Sequence, residues 1–313
     1  MIIKLNYKFF IYIFVMLILA LFSLKILDII LVKKFGLGTP VIYKYSNIVG
    51  YEIKPNQKLK RLGNEIDINK YGMRSSNWKN NVPNKILFFG DSVTYGGSIV
   101  SNSDLFSENV CKILNENNNK KFTCGNYGVN GYNLDAIARK IKFENTNEKP
   151  DLIIVTLVAN DLIRGFHHII SQPFWSKEIK NIYPALTEAF FIYLDNFRYK
   201  SKYIFSNNKS IQDQLDYYQY IVENFSSTLE NSGYEYLILY SPEKNELIRN
   251  SGQYLLLKDL LKKQTQNFYD LSNYLNKEDD YIYYDGVHLN KKGHKKYSEI
   301  ISKIIISKSY NFK

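Results

Sequence analysis

The chain has 313 residues, 45% of them hydrophobic and 23% charged, and a formal net charge of +11. These values exclude a disordered or collagenous chain and suffice for one large α/β domain with additional segments. The charge is uneven, because residues 1–80 hold 13 of the 41 Lys and Arg against four of the 30 acids, leaving the rest nearly neutral. A nucleic-acid enzyme carries its basic surface around its site. Here the excess flanks an apolar segment, where Lys and Arg contact anionic lipid, so the expected partner is a membrane and not nucleic acid.

The apolar segment is an uncharged run of 16 residues from Phe9 to Leu24, preceded by Lys4 and Lys8 and closed by Lys25. Apolar residues resume through Ile26-Leu27 and Ile29 to Val32, interrupted by Asp28. A span needs about 20 residues, and Lys8 and Lys25 can snorkel from the ends to make up the difference. A cleaved signal peptide shares the basic start and apolar core, but Leu19-Ala20-Leu21-Phe22-Ser23 is too bulky for a small-x-small cleavage site. Residues 1–32 are therefore expected to form one N-terminal transmembrane anchor, with the N-terminus cytoplasmic and the body outside.

Residues 33–84 form a connector. Gly36, Gly38 and Pro40 end the anchor helix, and Pro55-Asn56-Gln57 and Tyr71-Gly72-Met73-Arg74 read as turns between short extended pieces strapped across the body. Arg74 reads as an exposed, solvated cation.

From Lys85 onward strands and helices alternate, the pattern of a parallel sheet covered by helices. Ile86–Phe89 is an apolar strand that runs into Gly90-Asp91-Ser92. A helix is expected over about Ser103 to Asn115, with Ser103 as its cap, then a strand near Phe122–Asn126 and a helix from Leu134 to Phe143. Asp151–Val158 is the clearest strand, an unbroken run rich in β-branched residues. Residues of about 165–208 interrupt the alternation with many aromatics, among them Phe166, Trp175, Phe190 and Tyr193, and read as an insertion. A long helix over Gln212–Leu229, a strand over Tyr234–Tyr240, a helix over Tyr254–Leu261 and a short strand over Phe268–Leu271 follow. Residues 291–307 form a terminal amphipathic helix. Cys111 and Cys124 form one disulfide if the body is exported, or two buried thiols if it is not; neither has neighbours at metal spacing, so no metal is expected.

Three clusters fall at the C-terminal ends of strands or just after the last one: Gly90-Asp91-Ser92, Ala159-Asn160-Asp161 and Asp285-Gly286-Val287-His288. Gly131 adds a fourth element. In a parallel sheet these ends share one edge, where ligands bind. Ser92 would be a nucleophile, inert until a base, His288, removes its proton. Asp285 would fix the imidazole tautomer. The backbone N–H groups of Ser92 and Gly131 and the Asn160 amide would form an oxyanion hole. Each piece alone is a common turn. His167, His168 and His294 read as structural or solvated.

With these residues in place, the chain resembles the SGNH (GDSL-type) hydrolase family over about Ile86 to Ile305. The matching blocks are Gly90-Asp91-Ser92, Gly131, Asn160-Asp161 and Asp285-Gly-Val-His288. The resemblance implies a flavodoxin-like three-layer α/β/α sandwich over residues 85–313 and ester hydrolysis by a Ser-His-Asp triad without metal or cofactor. The connector is similar to that of membrane-anchored bacterial relatives acting on envelope glycans, which implies an acylated, most simply acetylated, saccharide as substrate. An O-acyltransferase using the same acyl-serine, and a catalytically silent glycan-binding module, are the alternatives. One departure is Val158, which stands where the family has Gly and is expected to narrow the floor of the site.

Overall fold

The computed structural model describes residues 7–76, 78–117, 119–163, 179–194, 211–247, 252–265, 267–275, 279–282, 285–308, 310 and 312. Most of the aromatic insertion, with Phe166, His167, His168 and Trp175, lies outside the described residues.

Helix α1 (Tyr7–Phe35) runs unbroken through Lys25 and Asp28, about 43 Å of helix at 1.5 Å per residue, and nearly all its side chains are exposed. It is long and apolar enough to cross a membrane. Two antiparallel hairpins follow, β1 (Tyr43–Ser46) with β2 (Gly50–Ile53), and β3 (Gln57–Arg61) with β4 (Asn64–Ile68). They are more than a strap, because Tyr43, Tyr51, Ile53, Ile66 and Ile68 are buried in the same core as the sheet.

The body is a five-stranded parallel sheet built from β5 (Asn84–Gly90), β6 (Phe122–Asn126), β7 (Leu152–Leu157), β8 (Glu235–Tyr240) and β9 (Phe268–Asp270), in the order β6-β5-β7-β8-β9. This order reverses at β5, the switch point at which doubly wound sheets open a crevice. The helices, in chain order, are α2 (Ser92–Tyr95), α3 (Phe106–Asn117), α4 (Leu134–Glu148), α5 (Asn160–Ile163), α6 (Pro184–Leu194), α7 (Ile211–Glu230), α8 (Gly252–Gln264) and α9 (Lys291–Ser307).

The period of two along each strand sorts side chains into two cores. Ile86, Phe88, Ile154, Leu237 and Leu239 face Phe106, Val110, Tyr297 and Ile301 of α3 and α9. Leu87, Phe89, Ile153, Val155 and Ile238 face Leu134, Ile137, Phe225 and Leu261 of α4, α7 and α8. The result is the three-layer α/β/α sandwich expected from the alternation.

Three local expectations change and one left open is settled. Ser103 does not cap α3; it lies in a 3-10 turn over Asn102–Asp104, and the helix starts three residues later at Phe106. Arg74 is fully buried, not solvated. Cys111 and Cys124 are joined in a disulfide that ties α3 to β6, with Cα atoms 5.8 Å apart. Val158 is buried with Val93 and Tyr297 in the second core, so its side chain is packed away and leaves no branched group exposed beside Asn160.

Candidate active site

Ser92 follows the end of β5. Gly90, the last strand residue, pairs with Thr156 of β7. A Cβ at Gly90 would lie 2.1 Å from Thr94 Oγ1 and 2.5 Å from the Thr156 carbonyl oxygen, so only glycine fits. Buried Asp91 then starts α2, its Oδ1 accepting from the Val93 N–H at 2.8 Å. The Ser92 hydroxyl donates to Asp91 Oδ2 at 3.3 Å. As the first residue of α2, Ser92 has a backbone N–H with no partner inside the helix.

An extension of the sheet pairing leads the chain toward Gly131. Tyr127 N–H donates to Phe88 O at 2.8 Å and Val129 N–H to Gly90 O at 3.1 Å, carrying the chain past the end of β6. The turn at Gly131 has φ 81°, a left-handed conformation that disfavours a side chain. The connector holds this turn in place: Tyr51 Oη donates to Asn130 O at 2.7 Å, and Tyr132 Oη donates to Tyr51 O at 2.5 Å.

Asn160 opens α5 directly after β7. Its Nδ2 donates to Glu243 Oε1 at 2.5 Å. Glu243 is buried in the loop after β8, and its own N–H donates to Glu246 Oε1 at 2.9 Å. Glu246 Oε2 in turn accepts from Tyr240 Oη at 2.5 Å. The same loop reaches the last cluster, since Lys244 N–H donates to Gly286 O at 2.6 Å and Tyr281 Oη donates to Pro242 O at 2.6 Å.

Asp285 and His288 are coupled through both carboxylate oxygens. Oδ2 lies 2.7 Å from His288 Nδ1, and Oδ1 accepts from the backbone N–H groups of Val287 and His288 at 2.9 Å each. Partial burial alone would raise the Asp285 pKa. The His288 hydrogen bond and charge, with the two amide bonds, outweigh it and hold the carboxyl below its ordinary range.

The segments thus join in sequence around the sheet edge: Gly90 to Thr156, Asn160 to Glu243, and Lys244 to Gly286. Sequence reasoning missed Glu243. Its place just past the Tyr234–Tyr240 strand was readable, but nothing in Pro242-Glu243 signals that its carboxylate meets Asn160. A cavity of about 950 Å³ lies between α3 and α9, lined by Asp104, Lys112, Lys291 and Ile306 among others.

His294 of α9 has a different task. It is buried, stacks on Phe106 at 5.5 Å between ring centroids, and its Nδ1 accepts from the first N–H of α3 at 3.3 Å. Burial, then the Arg74 and His288 charges, lower its pKa from 6.5 to about 3. Between those values the unfolded chain binds more protons than the folded one, so stability falls as pH drops from 6.5 toward 3. The slope is up to about 1.4 kcal/mol per pH unit. Urea midpoints at pH 7 and pH 5 should therefore separate more in the wild type than in His294→Asn. Equal separations would contradict this role.

Residues 86–301 match the model of the family described as GDSL-like Lipase/Acylhydrolase. The chain belongs to this family and is an SGNH-type hydrolase acting on ester bonds. Solved structures with a similar chain path include a lipase/acylhydrolase from Enterococcus faecalis, at 16% identity and a TM-score of 0.44, covering 72% of this chain and 96% of that one. The psychrotrophic esterase EstA from Pseudoalteromonas sp. is 13% identical with a TM-score of 0.47, covering 73% of this chain and 100% of that one. A Clostridium thermocellum family 3 carbohydrate esterase is 15% identical with a TM-score of 0.43, covering 71% and 95%. Curated proteins produced no match.

Proposed function

We propose that the protein is a membrane-anchored serine esterase that removes short acyl groups, acetyl foremost, from a saccharide of the cell envelope. The observation that carries the mechanism is the 2.7 Å contact between His288 Nδ1 and Asp285. It puts a proton on Nδ1 and leaves Nε2 as the base. Nε2 takes the Ser92 proton as Oγ attacks the ester carbonyl carbon. The tetrahedral oxyanion is met by the N–H groups of Ser92 and Gly131 and by the Asn160 amide. The imidazolium then protonates the departing sugar oxygen, and water, activated by the same His288, releases the acyl group from Ser92.

Glu243 acts through Asn160 as a positioning residue. By accepting one amide N–H at 2.5 Å it orients the side chain and leaves the second N–H for the oxyanion. Glu243→Ala should lower kcat by roughly tenfold with KM little changed, a loss of orientation at one oxyanion donor. A change confined to KM would instead make Glu243 a substrate contact.

One feature supports a site outside the cytoplasm and a second supports attachment to the membrane. The Cys111–Cys124 bridge suits an oxidising compartment, and α1 suits an anchor. The half-buried polar side chains of Ser92, Asn160 and His288 suit a hydroxylated substrate with a short acyl group. Full-length protein in detergent should release acetate from acetylated envelope polysaccharide above the level of Ser92→Ala. Release no greater than that control would count against the substrate assignment, and acyl transfer to an added sugar without free acetate would identify a transferase.

A further inference from the structure

Helix α1 is tied to the body by a cluster of polar contacts well before its end. Asp28, only 2% exposed, accepts at Oδ1 from the N–H groups of Ala185 at 2.9 Å and Leu186 at 3.0 Å, capping the first turn of α6. Lys25 Nζ lies 3.6 Å from Asp28 Oδ2 and donates to Ile182 O at 2.8 Å. Tyr183 Oη donates to Leu21 O at 3.4 Å, inside the uncharged run. One turn along α6, Glu188 accepts from Gly38 N–H at 2.6 Å and from Arg61 Nη1 at 2.9 Å.

These ties give α6 an inverted pattern. A surface helix in water buries its apolar stripe and exposes its charge. Here Ala185 and the carboxylate of Glu188 point inward and are buried, while Phe190 is 56% and Tyr193 65% exposed. Ile182, just before the helix, is 70% exposed. Ile26, Ile29, Ile30 and Val32 of the neighbouring α1 are exposed as well. The contacts of Tyr183 with Leu21 and of Lys25 with Ile182 set the start of α6 beside the last turns of the uncharged run, and the exposed apolar residues of α1 continue from there to Val32, just before Lys33 and Lys34.

We propose that α6 is an interfacial helix lying beside α1 at the boundary of headgroups and acyl chains, with Ile182, Phe190 and Tyr193 in lipid and Asp28 as its cap. The body then has two membrane contacts, and a second contact fixes its orientation where a single helix would leave it free to swivel. This rests on reading α1 as a membrane anchor.

The test uses full-length protein in phosphatidylcholine–phosphatidylglycerol vesicles, with single nitroxide labels at Phe190→Cys, Tyr193→Cys, Leu17→Cys within α1 and Lys142→Cys on the exposed surface of α4. Collision with oxygen reports lipid, and collision with a water-soluble nickel complex reports solvent. The expected result is that labels at 190 and 193 favour oxygen, as at 17 and opposite to 142. Adding Asp28→Ala should shift the label at 190 toward nickel, whereas Asp28→Asn, which keeps an acceptor oxygen, should not. Nickel-accessible labels at 190 and 193 beside a lipid-exposed label at 17 would overturn the proposal and leave the anchor standing. Labels at 190 and 193 shielded from both reagents would overturn it by showing a protein cover. A nickel-accessible label at 17 would remove the anchor reading itself.

Discussion

Ser92→Ala is expected to lower kcat of the full-length protein for p-nitrophenyl acetate by about four orders of magnitude, with KM little altered. In the proposed mechanism the hydroxyl forms the covalent bond to the acyl carbon, so its loss would remove the acyl-enzyme route, while the proposed oxyanion donors would continue to bind the ester. Asp285→Asn should produce a loss of similar order by a different path. An amide at the Asp285 position can present N–H to His288 Nδ1 and favour the tautomer with its proton on Nε2, where the base is needed. Steady-state kinetics on the two variants checks both expectations. A Ser92→Ala enzyme as active as the wild type would rule out serine catalysis.

Arg74→Ala is expected to be the most destabilising single substitution in the connector, costing about 3–5 kcal/mol. The guanidinium is fully buried and donates to Asn102 Oδ1 at 3.2 Å and to the carbonyl oxygens of Tyr95, Gly97 and Val100 at 2.8, 2.5 and 2.6 Å. It also stacks over the Tyr95 ring at 4.7 Å. These carbonyls belong to the turn that leaves α2, so one side chain from the connector holds the segment immediately after Ser92. Alanine would leave a cavity and three carbonyls of this turn, those of Tyr95 and Val100 buried, without their donor. Lysine, with a single ammonium, cannot span the same acceptors. Thermal unfolding midpoints should fall by roughly 6–15 °C in Arg74→Ala and by less in Arg74→Lys. An unchanged midpoint in both would mean that the turn holds itself.

The sheet was legible because its strands are short apolar runs ending in small polar residues, and Ile86–Phe89 and Asp151–Val158 fall within or beside the observed strands β5 and β7. The pairing of Asp285 with His288 was legible because it is local, three residues apart in one loop. Partners distant in the chain were not. Arg74 is read as solvated from its own neighbourhood, yet its acceptors lie 21 to 28 residues further on. Glu243 meets Asn160 across 83 residues, and the first N–H of α3 finds its acceptor in His294, 188 residues away, and not in Ser103. The spacing of Cys111 and Cys124 left a bridge open because it depends on how α3 lies over β6. Local patterns specify elements and short turns, whereas a buried polar contact depends on which elements pack together.

An activated nucleophile at Ser92 should react covalently with an electrophilic phosphonate. A fluorophosphonate added to the full-length protein should form an adduct on the peptide containing Ser92, read by mass spectrometry. The adduct should be absent in Ser92→Ala and form far more slowly in His288→Ala. No adduct on the wild type, or an adduct on a different residue that persists in Ser92→Ala, would contradict the account.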